Sequence, residues 1–425
     1  MHLYLFLLVV VSLSCGSLPP ADVSVWRALS ATCGIVFAWG ILCHVGARLC
    51  AGQVRSEAIH PLLGAEIVEK QMSAFRWLGL AVVLLCLGGF GLARCLDVIP
   101  VLGDSMALQA FVLLGPGLLI IVMTWSAEHY YGVLLGYADG DAGLYAASLW
   151  RSFRGNVAWL VVPVLMLLGL SDVIHLLVAD REFAGWITAA SVLLFVPLGL
   201  PWMIRRLFKT STLDGSMGDW VAEVMESVGL GRTRMARWDT GRSAFNAMVV
   251  GFVAPLRTLL ISDRLLDELP RSQIAMVVLH EAAHLKRRHV QIRMLAILPA
   301  WGVGATISEA FAPHDWAMVA GSIVGILLTM LVLRWVAYRT EHDADIQACR
   351  LAGQIAGQVD DVPTTYEEAC EVLAAALKRV TFDQPSCRRG TWLHPGVEDR
   401  VAEMRRHCKQ PKPSTSKAAP VANPA

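Results

Sequence analysis

The chain has 425 residues, 55% hydrophobic and only 17% charged, with a mean hydropathy of +0.53. At this length such a bias is the composition of a polytopic membrane protein and excludes an ordinary soluble domain. A formal charge of +1 gives no electrostatic basis for binding nucleic acid. Ten cysteines without a Cys-x-x-Cys pair point to neither a disulfide framework nor a cysteine-ligated metal.

In chain order, residues 3–14 form a short apolar run ahead of Ser17-Leu18-Pro19-Pro20. Residues 1–20 therefore read as a signal-like segment or a short first anchor. Seven longer apolar runs follow, at about 28–47, 77–93, 107–127, 157–178, 184–204, 294–312 and 316–337. Each approaches the ~20 residues a helix needs to cross the hydrocarbon layer. They are continuous and not alternating, which excludes a closed barrel. The first five make residues 21–205 an N-terminal transmembrane region. The last two form a hairpin, about 294–337.

Basic residues orient the bundle. Arg48, Arg55, Lys70 and Arg76, then Arg151 and Arg154, then Arg205, Arg206 and Lys209, then Lys286, Arg287, Arg288 and Arg293 fall in alternate connections. Placing all of them in the cytoplasm gives a path with no exceptions. The hairpin then leaves and returns on that face. Ionisable Asp172, His175 and Glu309 lie toward the outer ends of their runs, where interfacial placement is expected.

The hairpin interrupts a soluble portion, so residues 206–408 are read as one domain built from 206–291 and 338–408. Asp219 to Met225 reads as a short amphipathic helix. Residues 246–263, rich in Val, Phe, Leu and Ile and broken by Gly251 and Pro255, suggest a strand pair. A helix is expected from about 271 to 289. Residues 409–425, with many Lys, Pro, Ser and Ala, read as a disordered tail.

That expected helix carries His280-Glu281-Ala282-Ala283-His284. Histidines four apart project from one helical face, where both imidazoles can hold one zinc ion. Glu281 stands beside the first, placed to take a proton from a water the metal activates. Past the hairpin comes Glu341-His342-Asp343-Ala344-Asp345, in which Glu341 and Asp345 are one helical turn apart. Glu341 serves as third ligand, leaving the open position of a catalytic zinc site. Asp345 buttresses a ligand and does not bind the ion itself. Two other zinc-protease patterns fit less well. An extended three-histidine motif would need its last histidine at Val290, whereas His289 is one position early and reads as interfacial. Leu213-Asp214-Gly215 lies upstream of the histidines, where an intramembrane site-2-type protease would carry it downstream.

Four pieces in order then carry a resemblance: Asn246-Ala247, His280-Glu281-x-x-His284, Arg339-x-Glu341-x-x-Ala344-Asp345, and His394-Pro395-x-x-x-x-Arg400-Val401. Over about 200–408 the chain resembles the membrane-bound zinc metalloendopeptidases that include the CAAX prenyl endopeptidase and the HtpX-type proteases. Five helices before and two within the catalytic region resemble the former branch more. His342 stands where relatives are usually aromatic, and Ala282-Ala283 replaces a common Leu-Gly or Ile-Gly; neither change removes a ligand or the base. The stretch Leu285-Lys286-Arg287-Arg288 also resembles the antibiotic-sensor-transducer proteases, which stand as the alternative. A membrane sensor or scaffold that binds metal without cleaving is the alternative of a different class.

The expectation is thus a mainly α, multi-pass transmembrane bundle with a zincin-like α+β metalloprotease domain. It holds one Zn2+ per chain on His280, His284 and Glu341 and acts on peptide or protein substrates at the lipid bilayer, with its site facing the cytoplasm. His394 or Arg400 is expected to stabilise the oxyanion. The segment from Asn246 and Ala247 to Gly251 is expected to form an edge strand that pairs with an extended substrate. Nothing in the sequence sets an oligomeric state.

Overall fold

The computed structural model describes residues 2–19, 22–242, 244–251, 253–312, 314, 317–382 and 388–409. Of the expected tail, 410–425 lie outside the described residues. The chain forms two compact units, divided in sequence between Phe208 and Lys209. Among the described residues, seven helices are long and apolar enough to span a membrane, matching the seven runs in number and order.

The first unit holds a short helix, α1 (His2–Ser14), and five spans: α2 (Val25–Arg55), α3 (Pro61–Val98), α4 (Met106–Leu134), α5 (Ala142–Leu177) and α6 (Arg181–Leu207). Leu5 and Leu8 of α1 are fully buried, packed in one cluster with Val83, Leu114 and Ile120. Lipid offers helices little hydrophobic reason to associate, so polar contacts and close approach add specificity. His44 Nε2 meets Ser126 Oγ at 2.9 Å. Arg76 pairs with Glu128 and donates to Thr124 Oγ1 at 3.1 Å. Asp172 on α5 accepts from the N–H groups of Met106 and Ala107 at 2.9 and 3.0 Å, capping the start of α4.

The second unit contains a four-stranded sheet: β1 (Thr210–Thr212), β2 (Arg234–Trp238), β3 (Ala247–Val250) and β4 (Thr258–Ser262), in the order β1-β2-β4-β3. β2 and β4 run parallel, and the outer pairs are antiparallel. β4 is buried along its whole length, which its apolar Leu259-Leu260-Ile261 allows. β3 forms one edge, aligning Ala247 with Ile261 and Val250 with Thr258. Around the sheet lie α7 (Gly215–Ser227), α8 (Arg271–Lys286), α11 (Tyr366–Val380) and α12 (Val397–Lys409). Their core joins Val221, Leu259, Val278, Leu279, Leu373 and Met404.

The spans of this unit are α9 (His289–Ala310) and α10 (Ala317–Ile355). The helix expected from 271 to 289 is two helices. Arg288 takes a left-handed conformation, φ 55° and ψ 37°, so α8 stops at Lys286 and α9 starts afresh. In the hairpin, a Cβ added to Gly304 would lie 2.8 Å from the carbonyl oxygen of Gly321 and 3.2 Å from Cα of Gly325. One added to Gly321 would collide with Ser308 and the Gly304 carbonyl. These small residues let the two backbones touch. α10 then continues unbroken for 39 residues, about 58 Å at 1.5 Å per residue. It outruns the membrane span and carries Glu341 rigidly back toward α8.

Candidate metal centre

α8 is apolar on almost every side and buried likewise: Ile274, Ala275, Met276, Val278, Leu279, Ala282 and Ala283 are all 0% exposed. A helix gripped this way holds its two histidines in one place. His280 Nε2 and His284 Nε2 stand 3.2 Å apart. Glu341 Oε1 is 3.4 Å from the second, and Oε2 is 3.7 Å from the first. Tetrahedral zinc with bonds of ~2.0–2.1 Å sets neighbouring donors about 3.4 Å apart. Two imidazole nitrogens and a buried carboxylate oxygen therefore suit zinc in both spacing and chemistry. Among the described residues, these three form the group able to hold a metal.

The carboxylates are met from behind. Arg293 Nη2 donates to Glu341 Oε1 at 2.9 Å, and His394 Nδ1 lies 3.1 Å from Oε2. Asp345 is wholly buried and takes two short bonds from Arg400, at 2.7 and 2.6 Å. Its Oδ1 lies 2.9 Å from His280 Nδ1, an approach that is short but poorly aligned for a hydrogen bond. Burial opposes the charge of Arg400, yet Asp345 and Glu341 raise its pKa above the usual arginine range. Burial likewise works against a charged His280, but Asp345 and Glu341 push it up to about 9. At His284 burial prevails over Glu341 and lowers the pKa.

Glu281 retains some surface exposure, yet it is enclosed enough that burial pushes its carboxyl up to about 7, against the pull of His280. It also accepts from the backbone N–H of Val249, which ties it to the edge strand β3. A carboxyl with a pKa near neutrality beside a metal cage is suited to moving protons.

Residues 213–407 match peptidase family M48. That segment is similar to the family and holds both histidines and Glu341. No curated protein matches it. A solved structure it is similar to is the crystal structure of S. mikatae Ste24p, at 13% identity and a TM-score of 0.48, covering 91% of this chain and 99% of that one.

The M48 match and the His-His-Glu triad mark a zinc metallopeptidase site, with peptide or protein as its substrate class, in a multi-pass membrane protein. The structure brings His280, Glu281, His284, Glu341, Asp345, His394 and Arg400 into one cluster. Asn246, Ala247 and Gly251 lie along β3 and its end, and Gly251 is left-handed at φ 85°. Three contributors were not singled out from the sequence. Arg293 was read only as a topology signal. His289, expected at the membrane interface, is instead 3% exposed and packs on His284. Asp343 completes that contact. The available signal was the pair of extra ionisable residues beside the two motifs.

Proposed function

We propose that this protein hydrolyses peptide bonds with Glu281 as general base, in a domain spanning 206–408 whose site faces the cytoplasm. The observation that carries this reading is that the Glu281 carboxyl interacts both with His280 and Glu341 of the cage and with the backbone N–H of Val249 on β3. Zinc held by the cage would supply Lewis acidity, polarising the scissile carbonyl and acidifying a water. Glu281 takes the proton of that water on a carboxylate oxygen as its oxygen bonds to the carbonyl carbon. The same carboxyl then delivers the proton to the amine nitrogen as the C–N bond breaks.

Arg400 is committed to Asp345 by two short bonds. That leaves His394, 54% exposed at its side chain, the better placed donor to the developing oxyanion. Arg400 acts instead through Asp345, which orients His280. The outer edge of β3 from Ala247 to Gly251 would offer main-chain groups to an extended substrate, whereas Asn246 is bonded to Ser262 through both its N–H and its C=O. Such pairing reads backbone more than side chains and suits broad peptide specificity. Cytoplasmic orientation is supported by the basic residues gathered in alternate connections.

The test is Glu281→Gln in purified protein. Cleavage of an unfolded peptide should fall below about one-hundredth of wild type, as loss of acid–base catalysis implies, while bound zinc stays stoichiometric. Full activity in the variant would remove Glu281 from the base role. Wild-type protein that binds zinc and cleaves nothing would favour a non-cleaving sensor.

A further inference from the structure

The two imidazole ligands are backed differently. His280 turns Nδ1 to a carboxylate directly, whereas His284 turns Nδ1 to a third imidazole. His284 Nδ1 and His289 Nδ1 are 2.9 Å apart, with the rings edge-on at 81°. His289 Nε2 in turn lies 3.0 Å from Asp343 Oδ2. Arg287 Nε donates to that same oxygen at 2.8 Å, fixing Asp343 as an ionised acceptor. The left-handed turn at Arg288 folds the start of α9 back on α8 and makes this contact possible.

We propose that His289 and Asp343 are positioning residues of the metal centre, holding His284 in the Nδ1–H tautomer with its Nε2 lone pair turned to the ion. Proton counting allows one arrangement. A ligand nitrogen must be bare, so with Nε2 given to the metal the His284 proton sits on Nδ1. It is donated to His289 Nδ1, which must then be bare, leaving the His289 proton on Nε2 to be donated to Asp343. The reverse arrangement would put the His284 proton on the ligating nitrogen. It would also set the bare Nε2 of His289 against a carboxylate at 3.0 Å. Every donor has an acceptor only in the first arrangement. Asp343 lies between Glu341 and Asp345 on α10, so one short stretch of helix supplies a ligand and the terminal carboxylate of both supports.

The inference rests on zinc binding by the cage and is tested on full-length protein in detergent, by competing zinc against a chelator and recording the cobalt-substituted absorption spectrum. His289→Phe keeps the ring and removes the acceptor, and zinc affinity should fall about 10- to 100-fold, as for other ligand-orienting partners. His289→Gln returns an acceptor oxygen and should recover most of that loss. Asp343→Asn, at a side chain 30% exposed, should weaken zinc about tenfold with the metal-free melting temperature unchanged; it decides the matter if His289→Phe does not fold. Zinc affinity within twofold of wild type in Asp343→Asn and His289→Phe would overturn the proposal. Equal losses in His289→Phe and His289→Gln would overturn it as well, by reducing His289 to packing. Wild-type protein unable to bind zinc would overturn the metal centre itself, and is thereby distinguished from failure of the positioning role.

Discussion

The helix that delivers the two imidazoles and the hairpin that delivers Glu341 are held by opposite means. α8 is fixed by apolar side chains on almost all its faces, packed into the core of the second unit. The α9–α10 hairpin is fixed by absence of side chain: Gly304, Gly321 and Gly325 let the backbones meet, while Leu327, Leu331 and Trp335 point outward with more than half their surface exposed. Water drives the first kind of contact. Lipid gives apolar side chains no such reward, so contact there depends on close approach of the main chains. One metal cage is therefore assembled from two regions with opposite sensitivities: the core to removal of atoms, the hairpin to their addition.

Substitutions in the two regions should therefore have unequal effects. Leu279→Ala empties a fully buried site one residue before His280, and denaturant titration in detergent should show a loss of about 2–5 kcal/mol. Gly304→Leu adds atoms where a Cβ would already lie 2.8 Å from the Gly321 carbonyl. The expected cost is about 1–3 kcal/mol, accompanied by weaker zinc binding because α10 carries Glu341. If zinc affinity and stability both survive, the hairpin is not what sets the position of Glu341. Leu331→Ala, at a side chain 64% exposed, should change stability by less than about 0.5 kcal/mol in the same titration. A loss as large as that of Leu279→Ala would show that the outer face of the hairpin is covered, and the contrast would fail.

The features readable in the sequence are those with a local period or a fixed spacing. Seven apolar runs announce seven spans, and two histidines four apart share a face before any fold is known. Glu341 was reachable through its turn-spaced partner Asp345, the returning hairpin and the family resemblance. Helix ends were less legible: α3 begins at Pro61, well before the apolar run at 77, because its first turns lie outside the hydrocarbon stretch that hydropathy detects. His289 was misplaced for a related reason. On a continuous helix it would stand about 140° round from His284, facing away; only the left-handed Arg288 returns it to the ligand.

By itself, then, the order of residues determined the class of the molecule, the number of its spans, two ligands and the neighbouring acid. These depend on composition and on helical geometry, which act within a few turns of chain. Tertiary structure alone decided that Arg400 is bound to Asp345, that Arg293 steadies Glu341, and that His284 is backed through His289 by Asp343. Those pairings join residues brought together by a membrane hairpin and a single left-handed turn. Polar and charged groups that are buried must find partners to offset their lost hydration, a requirement that leaves no periodic trace in the sequence.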